Sequence, residues 1–97
     1  NKPRTDDARR AQLLVADCFF ASHDYASAAL EYEKFKKDYP KDSMVPNATY
    51  RQAQSFRNMG KKTEAKLFYQ EMVDRFPKNP LTAKARQEMK RLKSANR

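Results

Sequence analysis

The chain has one glycine, one cysteine, one histidine and no tryptophan in 97 residues, and valine and isoleucine are scarce. With a single cysteine, Cys18, there can be no internal disulfide and no cysteine-built zinc site, although the redox compartment stays open. The single histidine, His23, leaves nucleophilic catalysis short of partners. Five helical residues separate it from Cys18, a rotation of about 140° from alignment, so the two do not face each other. Cys18 is therefore expected to be a small packing residue and His23 a turn residue. Scarce valine and isoleucine make strands improbable. No apolar run approaches the ~18–20 residues of a membrane span; the longest, LLVADCFFA, is interrupted by Asp17. Catalytic, cofactor and metal chemistry all lack a residue pattern, so no enzyme is expected.

What remains is a helix-forming composition of alanine, lysine, glutamate, glutamine and arginine. The formal net charge is +9. Such a field favours acidic partners, whether peptide, nucleic acid or anionic lipid, without choosing among them. The length allows one compact domain or a piece of a larger array. The chain opens at Asn1 without a charged-then-apolar leader, which suggests a mature fragment.

The sequence nearly repeats itself after 37 residues. KDYPKDSMVPNA returns as DRFPKNPLTAKA. At the same shift Ala16 falls on Ala53, Phe19 on Phe56, Ala28 on Ala65, Leu30 on Leu67, Tyr32 on Tyr69, Phe35 on Met72 and Pro40 on Pro77. A period of that size marks stacked supersecondary units. Within each unit the apolar spacing is helical: Ala8, Ala11, Val15 and Phe19; then Tyr25, Ala28, Tyr32, Phe35 and Tyr39. Ala53, Phe56 and Met59 follow, then Ala65, Phe68, Tyr69, Met72, Val73 and Phe76, and finally Leu81, Ala85, Met89 and Leu92. Five helices are predicted, about 6–22, 25–39, 45–59, 62–76 and 80–94. Asp24 and Asp42–Ser43 are candidate caps. Gly60 suits a left-handed helix end, and His23, its counterpart, must either accept a modest penalty for that conformation or avoid it. Pro40 and Pro77 stop their helices, and the short links make each helix pair antiparallel.

These landmarks resemble the tetratricopeptide repeat. A small residue (Ala16, Ala53) precedes a ring (Phe19, Phe56) and a turn (His23, Gly60). An alanine (Ala28, Ala65), another ring (Tyr32, Tyr69) and a proline (Pro40, Pro77) follow. The resemblance implies an all-α, right-handed superhelical stack of helix hairpins. One repeat would span about 6–41 and another about 43–78, with a capping helix at about 80–94. The usual unit is ~34 residues, and the extra ones here lie after Tyr-Pro. That link, with HDYASAALEYEKFKKDYPKD and FPKNPLTAKARQEMKRL, is similar to bacterial periplasmic proteins associated with the Tol–Pal system, and more distantly to outer-membrane assembly lipoproteins. Two departures are Gln52, where leucine is common, and His23, where glycine is. An N-terminal repeat and an upstream coiled coil of the Tol–Pal-associated family are not seen.

In such stacks the first helix of each pair lines the inner side. With Val15, Ala16 and Phe19 in the core, the groove would carry Arg10, Leu13, Asp17 and Phe20. The second unit would add Asn47, Tyr50, Gln54 and Arg57, and the closing helix Lys84, Gln87 and Arg91. Apolar anchors amid cations suit an extended or helical acidic peptide. By resemblance the partner would be a helical segment of the Tol machinery, the compartment periplasmic and the role coordination of envelope constriction during division. Glu31, Glu33, Glu64 and Glu71 are expected on solvated faces, paired with nearby lysines. The basic segment from Lys78 to Arg97 could track phosphates, but it has no interleaved aromatic platform, so nucleic acid is not expected. Three alternatives remain open: an outer-membrane assembly scaffold, a basic nucleic-acid binder, and a homo-oligomer formed through Leu13, Phe20 and their neighbours or through an upstream coiled coil.

Overall fold

The computed structural model describes residues 6–95, with side chains as far as Lys93. Five helices follow in order: α1 Asp6–Ala21, α2 Tyr25–Asp38, α3 Val45–Asn58, α4 Lys62–Arg75 and α5 Pro80–Ala95. These bounds lie within one or two residues of the periodicity-based expectation. No strand occurs among the described residues. Arg97, the last cation of the basic terminal segment, lies outside them.

The turns repeat as closely as the helices. After α1, the Asp24 N–H donates to Phe19 O and the His23 N–H to Phe20 O. After α3, Lys61 and Gly60 make the same pair of bonds to Phe56 O and Arg57 O. This is the Schellman arrangement, which satisfies carbonyls orphaned at a helix end. It requires a left-handed residue, and both His23 (φ 67°) and Gly60 (φ 79°) adopt that conformation. His23 therefore accepts the strain; its ring stacks on Tyr25, 5.6 Å between centroids.

Asp24 caps α2 as expected, accepting from the Ser27 N–H at 3.3 Å. Asp42 is displaced from the expected role. The residue at the start of α3 is Met44, which offers no side-chain cap, and Asp42 instead accepts from the Met44 N–H at 2.8 Å. Thirty-seven residues on, Asn79 does the same for Leu81 at 2.9 Å. The long Tyr/Phe-Pro links are thus ordered by equivalent short side chains.

Each helix packs on the next, and α3 also meets α5. The result is an elongated slab of 53 × 29 × 17 Å with α1, α3 and α5 along one side and α2 and α4 along the other. Ala16, Ala28, Tyr32, Phe35, Val45 and Ala48 form one apolar cluster, and Ala53, Ala65, Tyr69, Met72, Ala85 and Leu92 a second. The paired alanines, Ala16 with Ala28 and Ala53 with Ala65, are wholly buried. A methyl at each crossing lets the backbones approach closely, and a larger side chain there would force strain. Phe76 packs against both clusters.

The register of α1 needs correction. Ala11, Val15 and Cys18, expected in the core, are exposed, and Leu14 is 61% exposed. The buried side of α1 is centred on Ala16, with Leu13, Phe19 and Phe20 packed around it. The equivalent α3 residues, Ala48, Gln52 and Ser55, are buried, and Gln52 among them bonds to α2. No helix among the described residues lies against α1 in the corresponding place, so the same stripe stays open.

Candidate protein-binding surface

The expected groove positions recur at a spacing of 37: Arg10, Asn47 and Lys84; Leu13, Tyr50 and Gln87; Asp17, Gln54 and Arg91. All lie on α1, α3 and α5, the helices that share one side. Arg10, Asp17, Lys84, Gln87 and Arg91 are exposed, while Asn47, Tyr50, Gln54 and Arg57 are half-buried. Leu13 and Phe20 pack onto the first cluster, so they contribute edges to this surface and not free anchors.

Four contacts tie the surface together. The Arg51 guanidinium lies over the Phe20 ring at 4.4 Å, within cation–π range. Asp17 accepts a hydrogen bond from the buried Tyr32 hydroxyl. Arg57 donates to Glu88 at 2.8 Å, joining α3 to α5, and Glu88 also meets Arg91 at 3.5 Å. Burial pulls the Arg57 guanidinium down, but the bond to Glu88, assisted by Tyr69 and Tyr50, outweighs it, and the net displacement is upward. Arg57 is therefore a fixed cation already engaged by the protein. Tyr50 packs edge-on to Tyr69 at 5.8 Å. Burial, then Glu88, push its phenol up against the opposing charges of Arg57 and Arg51. At neutral pH it presents a neutral ring and a hydroxyl, suited to an amphipathic contact.

A second group of residues, not anticipated from the sequence, lies on the opposite side. Gln52 is buried in α3. Its amide donates to Glu33 at 2.9 Å and to Ala29 O at 3.3 Å, and its oxygen accepts from Lys36 at 2.8 Å. Lys36 also reaches Glu71 at 3.2 Å, and Glu71 pairs with Arg75 at 2.8 Å. Glu33 and Glu71 thus belong to a cross-helix network, unlike Glu31, which pairs weakly with Lys34 at 4.0 Å. The network borders a cleft of about 790 Å³ between α2 and α4, lined also by Leu30, Phe56 and Phe68. The one available signal was Gln52 itself, a polar residue at a position that periodicity assigns to an apolar seam.

The Cys18 thiol is exposed and the His23 imidazole is stacked on Tyr25. Among the described residues no cluster of histidine, cysteine and carboxylates has metal-binding geometry, and no helix is long and apolar enough to cross a membrane.

Two antiparallel helical hairpins closed by a fifth helix, with a polar face built from the first helix of each pair, define a helical-repeat interaction module. Comparison with protein families agrees. The tetratricopeptide-repeat model matches residues 10–42 and again 47–79, two copies offset by the same 37 residues. The chain belongs to the tetratricopeptide-repeat family, whose members generally mediate protein–protein contacts. A search of curated proteins finds no match.

Proposed function

We propose that the chain is a non-catalytic protein-binding module of a bacterial cell-envelope protein. In this reading it works in the periplasm beside the Tol–Pal system and takes a helical or extended acidic segment along α1, α3 and α5. The observation that carries the binding face is the recurrence of polar and amphipathic residues at matched positions of three helices on one side, with Tyr50 at the centre. Exposed Arg10, Lys84 and Arg91 give the face a positive rim that steers acidic partners and sets their orientation. The Tol–Pal assignment rests on the Tyr-Pro links and on HDYASAALEYEKFKKDYPKD and FPKNPLTAKARQEMKRL, which resemble that family's C-terminal repeats.

Affinity capture with purified Tol–Pal envelope components tests both parts. The chain is expected to retain one component, and the Lys84→Glu/Arg91→Glu double variant is expected to release it. Both substituted side chains are exposed, and circular dichroism verifies that the variant, which loses the Arg91–Glu88 contact, remains helical. Retention of none of the components overturns the Tol–Pal assignment. Retention that the double variant leaves unchanged overturns the binding face.

A further inference from the structure

A notch of about 480 Å³ between α4 and α5 is lined by Lys66, Leu67, Gln70, Arg86, Met89, Lys90 and Lys93. Four of these seven side chains are cations and none is an anion. Among the described residues none of the four cations forms an ion pair, whereas Arg9, Lys34, Lys36, Arg57, Arg75 and Arg91 all do. Leu67, in the lining of the notch, is 65% exposed. A concentrated, unneutralised charge around an exposed leucine favours a guest that supplies carboxylates and an apolar side chain together.

The molecule contains a template for such a guest. Moved back by 37 residues, Leu67, Gln70, Met89 and Lys93 become Leu30, Glu33, Gln52 and Phe56, which line the corresponding place in the first unit. There α4 itself forms the second wall. It stacks Phe68 on Phe56 at 5.3 Å and sets Glu71 against Lys36 at 3.2 Å. At α5 no such wall lies among the described residues. The positions that hold Ala53 and Phe56 in α3, buried or half-buried beside their hairpin partner, hold the exposed cations Lys90 and Lys93.

We infer that this notch binds an acidic amphipathic helix, which would lie against α5 much as α4 lies against α3. Glutamate or aspartate of the guest pairs with Lys90, Lys93, Arg86 and Lys66, and a leucine or phenylalanine covers Leu67 and Met89. The site is separate from the face of α1, α3 and α5 and does not depend on the Tol–Pal reading.

The probe is a fluorescein-labelled 20-residue synthetic helix with leucine and phenylalanine at i, i+4 and i+7 flanked by glutamate, followed by anisotropy. Saturable binding is expected. Lys90→Glu/Lys93→Glu is expected to weaken it at least ~10-fold, since two reversals change four charge units at a partly screened surface. Leu67→Ala, at an exposed position that costs the core nothing, is expected to weaken it several-fold. A glutamine-for-glutamate peptide is expected to bind poorly. Circular dichroism verifies that both protein variants remain helical. No binding, or equal binding by the charge-reversed chain, overturns the inference. Loss of binding in Lys84→Glu/Arg91→Glu but not in Lys90→Glu/Lys93→Glu also overturns it, because the helix would then lie on the other face. Co-sedimentation with phosphatidylglycerol vesicles in the absence of peptide binding assigns the cations to a lipid surface and equally refutes it.

Discussion

Two tyrosines at equivalent places in the repeat, Tyr32 and Tyr69, are both buried yet differ in one bond. The Tyr32 hydroxyl donates to Asp17. Among the described residues the Tyr69 hydroxyl finds no hydrogen-bond partner; residue 54, the counterpart of Asp17, is glutamine. Replacing each ring with phenylalanine removes one oxygen and preserves nearly all packing. Hydrogen bonds to charged groups contribute ~1.5–3 kcal/mol, and the exposed Asp17 recovers part of this in water, so Tyr32→Phe is expected to cost about 1–2 kcal/mol. Tyr69→Phe removes a desolvated, unpaired hydroxyl, and the released penalty is expected to stabilise the chain by ~1 kcal/mol. The two single variants then differ by about 2–3 kcal/mol. At ~4–8 °C per kcal/mol for a domain of this size, their melting midpoints separate by roughly 10–20 °C. Urea titration followed by circular dichroism at 222 nm supplies the free energies. The double variant is expected to sit near the sum of the singles, within ~0.5 kcal/mol, because the two sites share no partner. If Tyr69→Phe proves as costly as Tyr32→Phe, the buried-hydroxyl reasoning is wrong.

Three further outcomes follow from the same structure. Gln52→Leu, toward the residue common in similar repeats, is expected to destabilise by about 1–2 kcal/mol because it strips an acceptor from Lys36 and a donor from Glu33; Gln52→Leu with Lys36→Met is expected to recover most of that loss in the same urea assay. At the left-handed turns, Gly60→Ala is expected to cost about 1 kcal/mol by backbone strain alone, since a Cβ there meets nothing within 4 Å, whereas His23→Gly is expected to be neutral or mildly stabilising; a larger loss for His23→Gly would mean that its stacking on Tyr25 outweighs the strain. The phenols of Tyr32, Tyr69 and Tyr50 are all pushed up, chiefly by burial. The folded state therefore holds these protons where the unfolded chain releases them. The associated stability is complete below the ordinary tyrosine value of ~10 and is lost as pH rises above it. Tyrosinate absorbance at 295 nm is expected to appear in two stages, the later one coinciding with loss of helix, and a single stage at pH 10 with the helix intact would contradict this.

The helices were legible in the sequence because three independent signals agreed: the 37-residue period, the 3.6-residue apolar spacing, and proline or turn residues at each boundary. The paired alanines were legible for a similar reason, since a small residue recurring at a helix crossing has one physical use. The exposure of Val15 and Cys18 was not legible. A stripe such as Ala11, Val15 and Cys18 has the same spacing whether or not a neighbouring helix covers it, and a one-dimensional pattern carries no information about the neighbour. Nor was the polar network, which joins Lys36 to Gln52 and Glu71 across 16 and 35 residues. Tyr50 and Arg57 were correctly placed on one helix, but their engagement with Tyr69 and Glu88 depends on how α3 leans on α4 and α5.

Phe76 sits at the end of α4, in contact with both apolar clusters, and the Thr82 hydroxyl donates to its carbonyl. Stability in repeat proteins divides into a term for each unit and a term for each junction, and a weak junction lets the units melt one after the other. One ring shared by both cores makes that junction strong: neither hairpin can open without stripping apolar contacts from its neighbour. The two near-copies are therefore expected to melt in a single cooperative transition, so that a guest clamping either hairpin would raise the melting point of both.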